Sequence, residues 1–137
     1  MPVRGIRGAT TAAENSSEAI VDATAELLEE LVSLNQLDVE EIAFAYFTTT
    51  LDLTAEFPAY AARRLGWLRV PLLCGHDMNV PPENPRAVRH CIRVLLLYNT
   101  TRPQEAMRFA YLRGAVAIKD DLDAMEARAG GITETRR

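Results

Sequence analysis

Histidine, cysteine and tryptophan are scarce in this chain of 137 residues, which contains two, two and one of them respectively. The two histidines, His76 and His90, are too few and too poorly spaced to predict a metal site. The two cysteines, Cys74 and Cys91, do not make a disulfide framework, and we expect both to be thiols. Any chemistry must therefore come from the arginines and a few carboxylates.

Long apolar runs and an excess of positive charge are also missing. No apolar run approaches the length of a membrane span, and the N-terminus has no apolar signal core, so we expect a cytoplasmic protein with no membrane partner. The net charge of −4 argues against a nucleic-acid partner, which requires a basic surface. We expect one domain at residues 1–122, followed by a polar, mobile C-terminal tail at residues 123–137.

Hydrophobic patterning predicts strands and helices that alternate along the chain. Apolar runs predict strands at residues 3–10, 42–50, 67–74, 89–98 and 109–118. Helical spacing predicts a long helix between caps at Asn15 and Asn35, a second helix over residues 57–66, and a short one after Thr101. Together they predict an α+β fold, in which a mixed β-sheet is packed with a few helices. Such a sheet leaves one face exposed, and a ring-forming homo-oligomer, most simply a trimer, would cover it.

The most unusual residue of these strands is Arg93. The segment from Arg89 to Tyr98 is mostly aliphatic, which predicts a strand covered on both faces, and alternation places Arg93 among apolar side chains. A buried guanidinium requires an anion, because arginine does not lose its proton. There are two alternatives for this anion. It is either a carboxylate of the protein, in an ion pair that stabilises the fold, or an anionic ligand.

Several motifs in the right order resemble the AroH-type chorismate mutases, the small trimeric bacterial class. The resemblance covers residues 3 to 122. No single motif would identify the family, but several in the same order do. The resemblance is carried by residues 4–11 (RGIRGATT), 57–59 (FPA) with Arg63, Trp67 and 70–74 (VPLLC), 91–94 (CIRV), 101–104 (TRPQ) and 111–113 (YLR).

The resemblance implies a trimer with a pseudo-α/β-barrel core that rearranges chorismate to prephenate, a Claisen rearrangement that needs no cofactor and no metal. The substrate is a dianion, and its ether oxygen gains negative charge as the carbon–oxygen bond breaks. Cations must therefore fold the flexible enolpyruvyl arm over the ring and stabilise that oxygen. Arginines suit both tasks, because the guanidinium binds a carboxylate through two parallel hydrogen bonds.

By the same resemblance, five residues are assigned catalytic roles. Arg93 would contact the ether oxygen and also reach a substrate carboxylate. Arg7 and Tyr111 would bind the enolpyruvyl carboxylate, and Cys74 and Asp77 would contact the ring hydroxyl.

Four further residues are expected to bind the substrate. Phe57 and Arg63 would come from the neighbouring subunit, so that each site spans two chains. Leu73 and Ile118 would complete the binding surface, Ile118 by apolar packing. Outside these four, Lys119 would take the place of a basic residue near the tail.

The chain departs from the family pattern at Asp77, where the family has glutamate. The shorter carboxylate could reach the hydroxyl through a small backbone movement or a water, or the pocket could suit an ammonium group at that ring position. Phe109 also replaces a more polar residue. Two alternatives to a chorismate mutase therefore stay open: a mutase for an amino-substituted chorismate, and a non-catalytic trimer that binds aromatic dicarboxylates.

Overall fold

The computed structural model describes residues 1–136, with the side chains of residues 1–129. The strands are β1 (Val3–Thr11), β2 (Ile42–Thr49), β3 (Leu72–His76), β4 (Cys91–Asn99) and β5 (Ala110–Tyr111). The α-helices are α1 (Ser17–Asn35), α2 (Ala59–Arg64) and α3 (Val116–Arg136), with short 3-10 helices at Val39–Glu41, Gln104–Ala106 and Arg113–Ala115. The predicted α+β fold is confirmed.

The five strands form one mixed sheet in the order β3-β2-β4-β1-β5. Strand β4 is antiparallel to both β1 and β2, whereas β3 runs parallel to β2 and β5 parallel to β1. Arg93 lies opposite Ala9 on one neighbour and Thr48 on the other. The strand that carries Arg93 is therefore central, and β3 lies at an edge of the sheet.

The core lies on one face of the sheet, where α1 and α2 pack. Along β4, Val94 and Leu96 are buried on this core face, while Arg93 and Leu95 point to the opposite side and are partly exposed. Gly8 allows the close approach of α1, since a Cβ atom there would lie 2.9 Å from Leu31 Cδ1. The prediction that β4 is covered on both faces is wrong for the single chain, because too few helices are present to cover a second face. We call the other side the open face.

The predicted closing strand at residues 109–118 is also wrong. Only Ala110–Tyr111 is extended, and a 3-10 turn at Arg113–Ala115 leads into α3. Arg113 has a φ of 52°, which ends the extended conformation, and its guanidinium contacts Glu26 on α1 at 3.2 Å. The predicted tail begins within α3, which contains residues 123–136. Its mobility and the domain boundary at 122 stay predictions, and residue 137 lies outside the described residues.

The ends of α1 differ from the predicted caps. The hydroxyl of Ser16 accepts a hydrogen bond from the amide of Ala19, so Ser16 is the N-cap instead of Asn15. Asn15 instead accepts hydrogen bonds from the amides of Thr54 and Ala55 and so holds the loop that precedes α2. At the other end the chain turns at Gln36, which has a φ of 50°.

Buried Asn35 connects the end of α1 to the segment before β5. Its side-chain amide donates to the carbonyls of Leu31 and Arg108 and accepts from the Arg108 amide at 2.7 Å. We expect Asn35→Ala to lower the free energy of unfolding by about 2 kcal/mol, because these backbone groups lose their partner. Urea unfolding at one fixed protein concentration measures the change.

Asn79→Ala is the matched control, because Asn79 is exposed. The control should change the free energy of unfolding by less than about 0.5 kcal/mol. Equal unfolding midpoints for the two variants would contradict a structural role for the Asn35 amide.

Candidate active site

A cavity of about 300 Å³ lies on the open face of the sheet. Five residues that the sequence predicts as site residues line it together: Arg7, Asp77, Arg93, Tyr111 and Ile118. They come from β1, the residue after β3, β4, β5 and α3, so the sheet and the start of α3 bring five separate elements to one place. These predicted residues supply two guanidinium groups, one carboxylate and one phenol, and the cavity is therefore a candidate active site.

Strand register explains why these side chains meet. Arg7 lies opposite Leu95 and Ala9 opposite Arg93, so alternation places both guanidinium groups on the open face. Tyr111 pairs with Ala9 and points to the same side. Asp77 follows the end of β3, and its amide donates to the Thr49 carbonyl at 2.8 Å. Two β1–β4 pairs that follow each other on the open face thus fix the distance between the two guanidinium groups.

Arg93 and Asp77 form an ion pair inside this cavity. The Nε atom of Arg93 lies 2.7 Å from Oδ2 of Asp77, and the two side chains are 41% and 25% exposed. The buried Nε–H makes no aligned hydrogen bond within residues 1–129, and neither does the buried hydroxyl of Thr48 beside it. The carboxylate therefore compensates the charge of Arg93 through a close contact whose hydrogen-bond alignment is poor.

Sequence reasoning missed Tyr46 and Thr48, which also line the cavity. Both alternate along β2 on the open face, where Thr48 pairs with Arg93 and Tyr46 with Leu95. Period-2 alternation would have placed the two on one face of β2, but only the strand order shows that β2 lies next to β4. Phe109, outside the cavity lining, contacts Arg7 through its ring, with 5.2 Å between the guanidinium carbon and the ring centroid.

The other four predicted site residues lie together in a different place. Phe57, Arg63, Leu73 and Cys74 line a second cavity, of about 250 Å³, at the β3 edge. Cys74 does not join Asp77, because Cys74 pairs with buried Phe47 and faces the core side of β3. A single chain therefore divides the predicted site residues between two cavities, which we call the arginine half-site, on the open face, and the aromatic half-site, at the β3 edge.

Lys119, expected to replace a basic residue near the tail, lies on α3 outside both half-sites. Its ammonium group contacts Asp123 one helical turn later, at 3.0 Å. Both side chains of this pair are exposed to solvent. The structure therefore does not bring Lys119 to the arginines.

The two cysteines differ in burial and in acidity. Burial raises the pKa of the Cys91 thiol to about 11, although the nearby Arg93 guanidinium acts in the opposite direction. Burial also raises the pKa of Cys74, which is partly exposed and lies near Arg63. Both side chains are thiols at neutral pH, as predicted.

We expect iodoacetamide at pH 8 to label Cys74 on the order of tenfold faster than Cys91, because the reactive thiolate of Cys91 is both scarce and buried. Raising the pH from 8 to 10 should speed labelling at both positions, since it increases the thiolate fraction of each. Peptide mapping by mass spectrometry measures the two rates separately. Cys74→Ala should leave only the slow reaction, and equal labelling of both thiols in the native protein would contradict this difference.

Neither a metal cluster nor a membrane helix is found in the described part of the chain. Among those residues, no group of three or more histidine, cysteine, aspartate or glutamate side chains could hold a metal ion. No helix within residues 1–136 is long and apolar enough to cross a membrane.

Comparison with known proteins identifies the family. A model of the family described as chorismate mutase type I matches residues 3–122. The chain is 48% identical to chorismate mutase AroH of Thermus thermophilus over 125 residues, covering 90% of this chain and 99% of the relative. It is 38% identical to chorismate mutase AroH of Bacillus subtilis over 123 residues, covering 89% and 94%.

A solved structure agrees with the sequence comparisons. The chorismate mutase of Clostridium thermocellum superimposes with a TM-score of 0.77 at 40% identity, and the match covers 81% of this chain and 96% of that one. The family model, the sequence relatives and the fold thus agree, and the chain belongs to the type I chorismate mutase family.

Proposed function

We propose that this protein is a chorismate mutase, an isomerase that converts chorismate to prephenate by an intramolecular Claisen rearrangement. The observation that carries the proposal is the arginine half-site, where the side chains of Arg7, Arg93 and Tyr111 face one cavity. The family relatives, which are named as chorismate mutases, support it. Loss of chorismate absorbance on adding the purified protein tests it directly.

The reaction requires positioning and charge stabilisation, without a covalent intermediate. Arg7 and Tyr111 lie on adjacent strands, so together they would hold the enolpyruvyl carboxylate and bring the arm over the ring. Arg93 would donate to the ether oxygen as negative charge develops there. Its side chain is only partly exposed, and a donor that is already partly desolvated stabilises developing charge more than one in water.

Asp77 supports the same assignment. Its carboxylate lies against Arg93, which would hold the guanidinium in place below the substrate. Because its charge is already compensated by Arg93, Asp77 is a weak partner for an ammonium group, and no contact of this site favours an amino-substituted chorismate. A non-catalytic binder is not favoured either, because Arg7, Arg63, Arg93 and Tyr111 are all present.

A homotrimer would join the two half-sites across each subunit interface. Phe57 and Leu73 lie near Arg63 at the β3 edge, and in the single chain they are 69% and 65% exposed. Burying such large apolar side chains would stabilise an interface. On the open face, Phe44 and Leu95 are also partly exposed. A ring in which the β3 edge of one chain meets the open face of the next would cover both surfaces and complete every site.

Arg93→Gln should lower kcat by a factor on the order of 10²–10³ or more, while KM changes much less, because the lost interaction is made in the transition state. The assay is chorismate consumption by purified variant and wild type. Arg69→Gln is the matched control, since the Arg69 side chain is 87% exposed and outside both half-sites.

Thermal melting of the same samples separates catalysis from folding. A variant that melts like wild type but barely turns over supports the catalytic role. Near-normal kcat with a Tm lowered by several degrees would assign Arg93 to the fold instead, as expected when one partner of a structural ion pair is removed.

Mixing two inactive variants tests the shared sites. Arg93→Gln damages the arginine half-site and Arg63→Gln the aromatic half-site, so each alone should be poorly active. Co-expressed in equal amounts, they should regain about a quarter of wild-type activity, the random-assembly value for a closed ring in which each site uses two chains. Activity no greater than the average of the two variants would contradict shared sites.

A further inference from the structure

A third guanidinium group lies next to the arginine half-site. A cavity of about 220 Å³ adjoins the first and shares Arg7, Arg93 and Ile118 with it, while Arg86 and Asp121 line its other side. Arg86 belongs to the proline-rich segment between β3 and β4. We propose that Arg86 is a substrate-binding residue. Its guanidinium group contacts the enolpyruvyl carboxylate, the one that Arg7 also binds; this rests on the proposed function.

The loop holds the backbone of Arg86 while leaving its side chain free to act. The amide of Arg86 donates to the side chain of Asn84 at 2.9 Å, and the amides of Asn84 and Ala87 close two further turns. Pro85 restricts the backbone immediately before Arg86. The side chain of Arg86 is exposed and lies within 4.0 Å of no carboxylate in the described part of the chain.

Charge explains why a third cation is useful here. The chain carries a net charge of −4, which opposes the approach of a dianion. In the two joined cavities, Asp77 is paired with Arg93 and Asp121 adds a second carboxylate. Within one chain, Arg7 and Arg93 alone would balance these two charges, so Arg86 gives this half-site an excess positive charge, to which Arg63 of a neighbouring subunit would add.

Lys119 is the competing source of that charge, since the family resemblance places a basic residue there. In this chain its ammonium group contacts Asp123 and lines neither cavity. The geometry therefore favours the loop arginine over the helix lysine.

The test compares three single variants of the full chain in steady-state kinetics with chorismate. Arg86→Gln should raise KM about tenfold with little change in kcat, because a charge-assisted contact to a non-reacting carboxylate binds ground and transition states alike. Arg89→Gln, an exposed arginine three residues away, is the matched control and should behave like wild type. Lys119→Gln should also behave like wild type.

Two readouts distinguish binding from a structural effect of the loop. Arg86→Lys should give an intermediate KM, because it restores the charge without the planar fork. In Arg86→Gln, kcat/KM should fall less steeply with ionic strength than in wild type, since one attracting charge is gone. All variants should melt at the wild-type temperature.

The outcomes separate this inference from the proposed function. An inactive wild-type protein would contradict the proposed function itself. An active wild type with Arg86→Gln indistinguishable from Arg89→Gln would overturn the role of Arg86 alone. A raised KM in Lys119→Gln, with none in Arg86→Gln, would also overturn it and assign the cation to α3.

Discussion

The architecture depends on a shortage of helices. Five strands form one sheet, and α1 and α2 both pack on the same face of it, whereas α3 reaches the other face only at its start, where Ile118 lines the cavity. Hydrophobic burial is therefore complete on one side, with Leu27 and Leu31 against the strand that carries Gly8. The other side is left with charged and half-exposed side chains. Such a face is where guanidinium groups can be placed on strands without the desolvation cost of a closed core.

Electrostatic balance on the open face follows from this arrangement. Arg93 lies on a central strand, yet its side chain remains 41% exposed, so the ion pair with Asp77 does not carry the cost of full burial. Asp77 contacts Arg93 at its Nε atom, and a guanidinium group has four further N–H donors. An ion pair of this kind holds the cation in place and leaves donors for a bound anion.

Much of the fold could be predicted from the sequence, because the long apolar segments have clear periodicity. The strands around Arg7, Tyr46 and Arg93 were placed correctly, and the short helix after Phe57 was found from its proline and glycine. The segment 109–118 could not be assigned by composition, because its apolar residues suit a strand or a helix equally, and the positive φ of Arg113 has no signal in the sequence.

For the candidate site, the identity of most residues could be predicted from the sequence, but the face on which each lies could not. The family resemblance supplied the arginines, but the face to which Cys74 points depends on its register with Phe47. That register decides whether Cys74 lies beside Asp77 or beside Arg63. Strand order and register are long-range properties, which a pattern of residues along one strand does not contain.

The side-chain amide of Gln104 makes the two hydrogen bonds to Gly5 of β1 that a residue of a paired strand would make. It donates to the carbonyl of Gly5 at 2.7 Å and accepts from the Gly5 amide at 2.9 Å, which reproduces a pair of ladder hydrogen bonds. Strand β5 reaches β1 only at Gly8 and Ala9, so this side chain satisfies backbone groups beyond the end of β5. One border of the sheet is thereby protected against pairing with the strands of other chains.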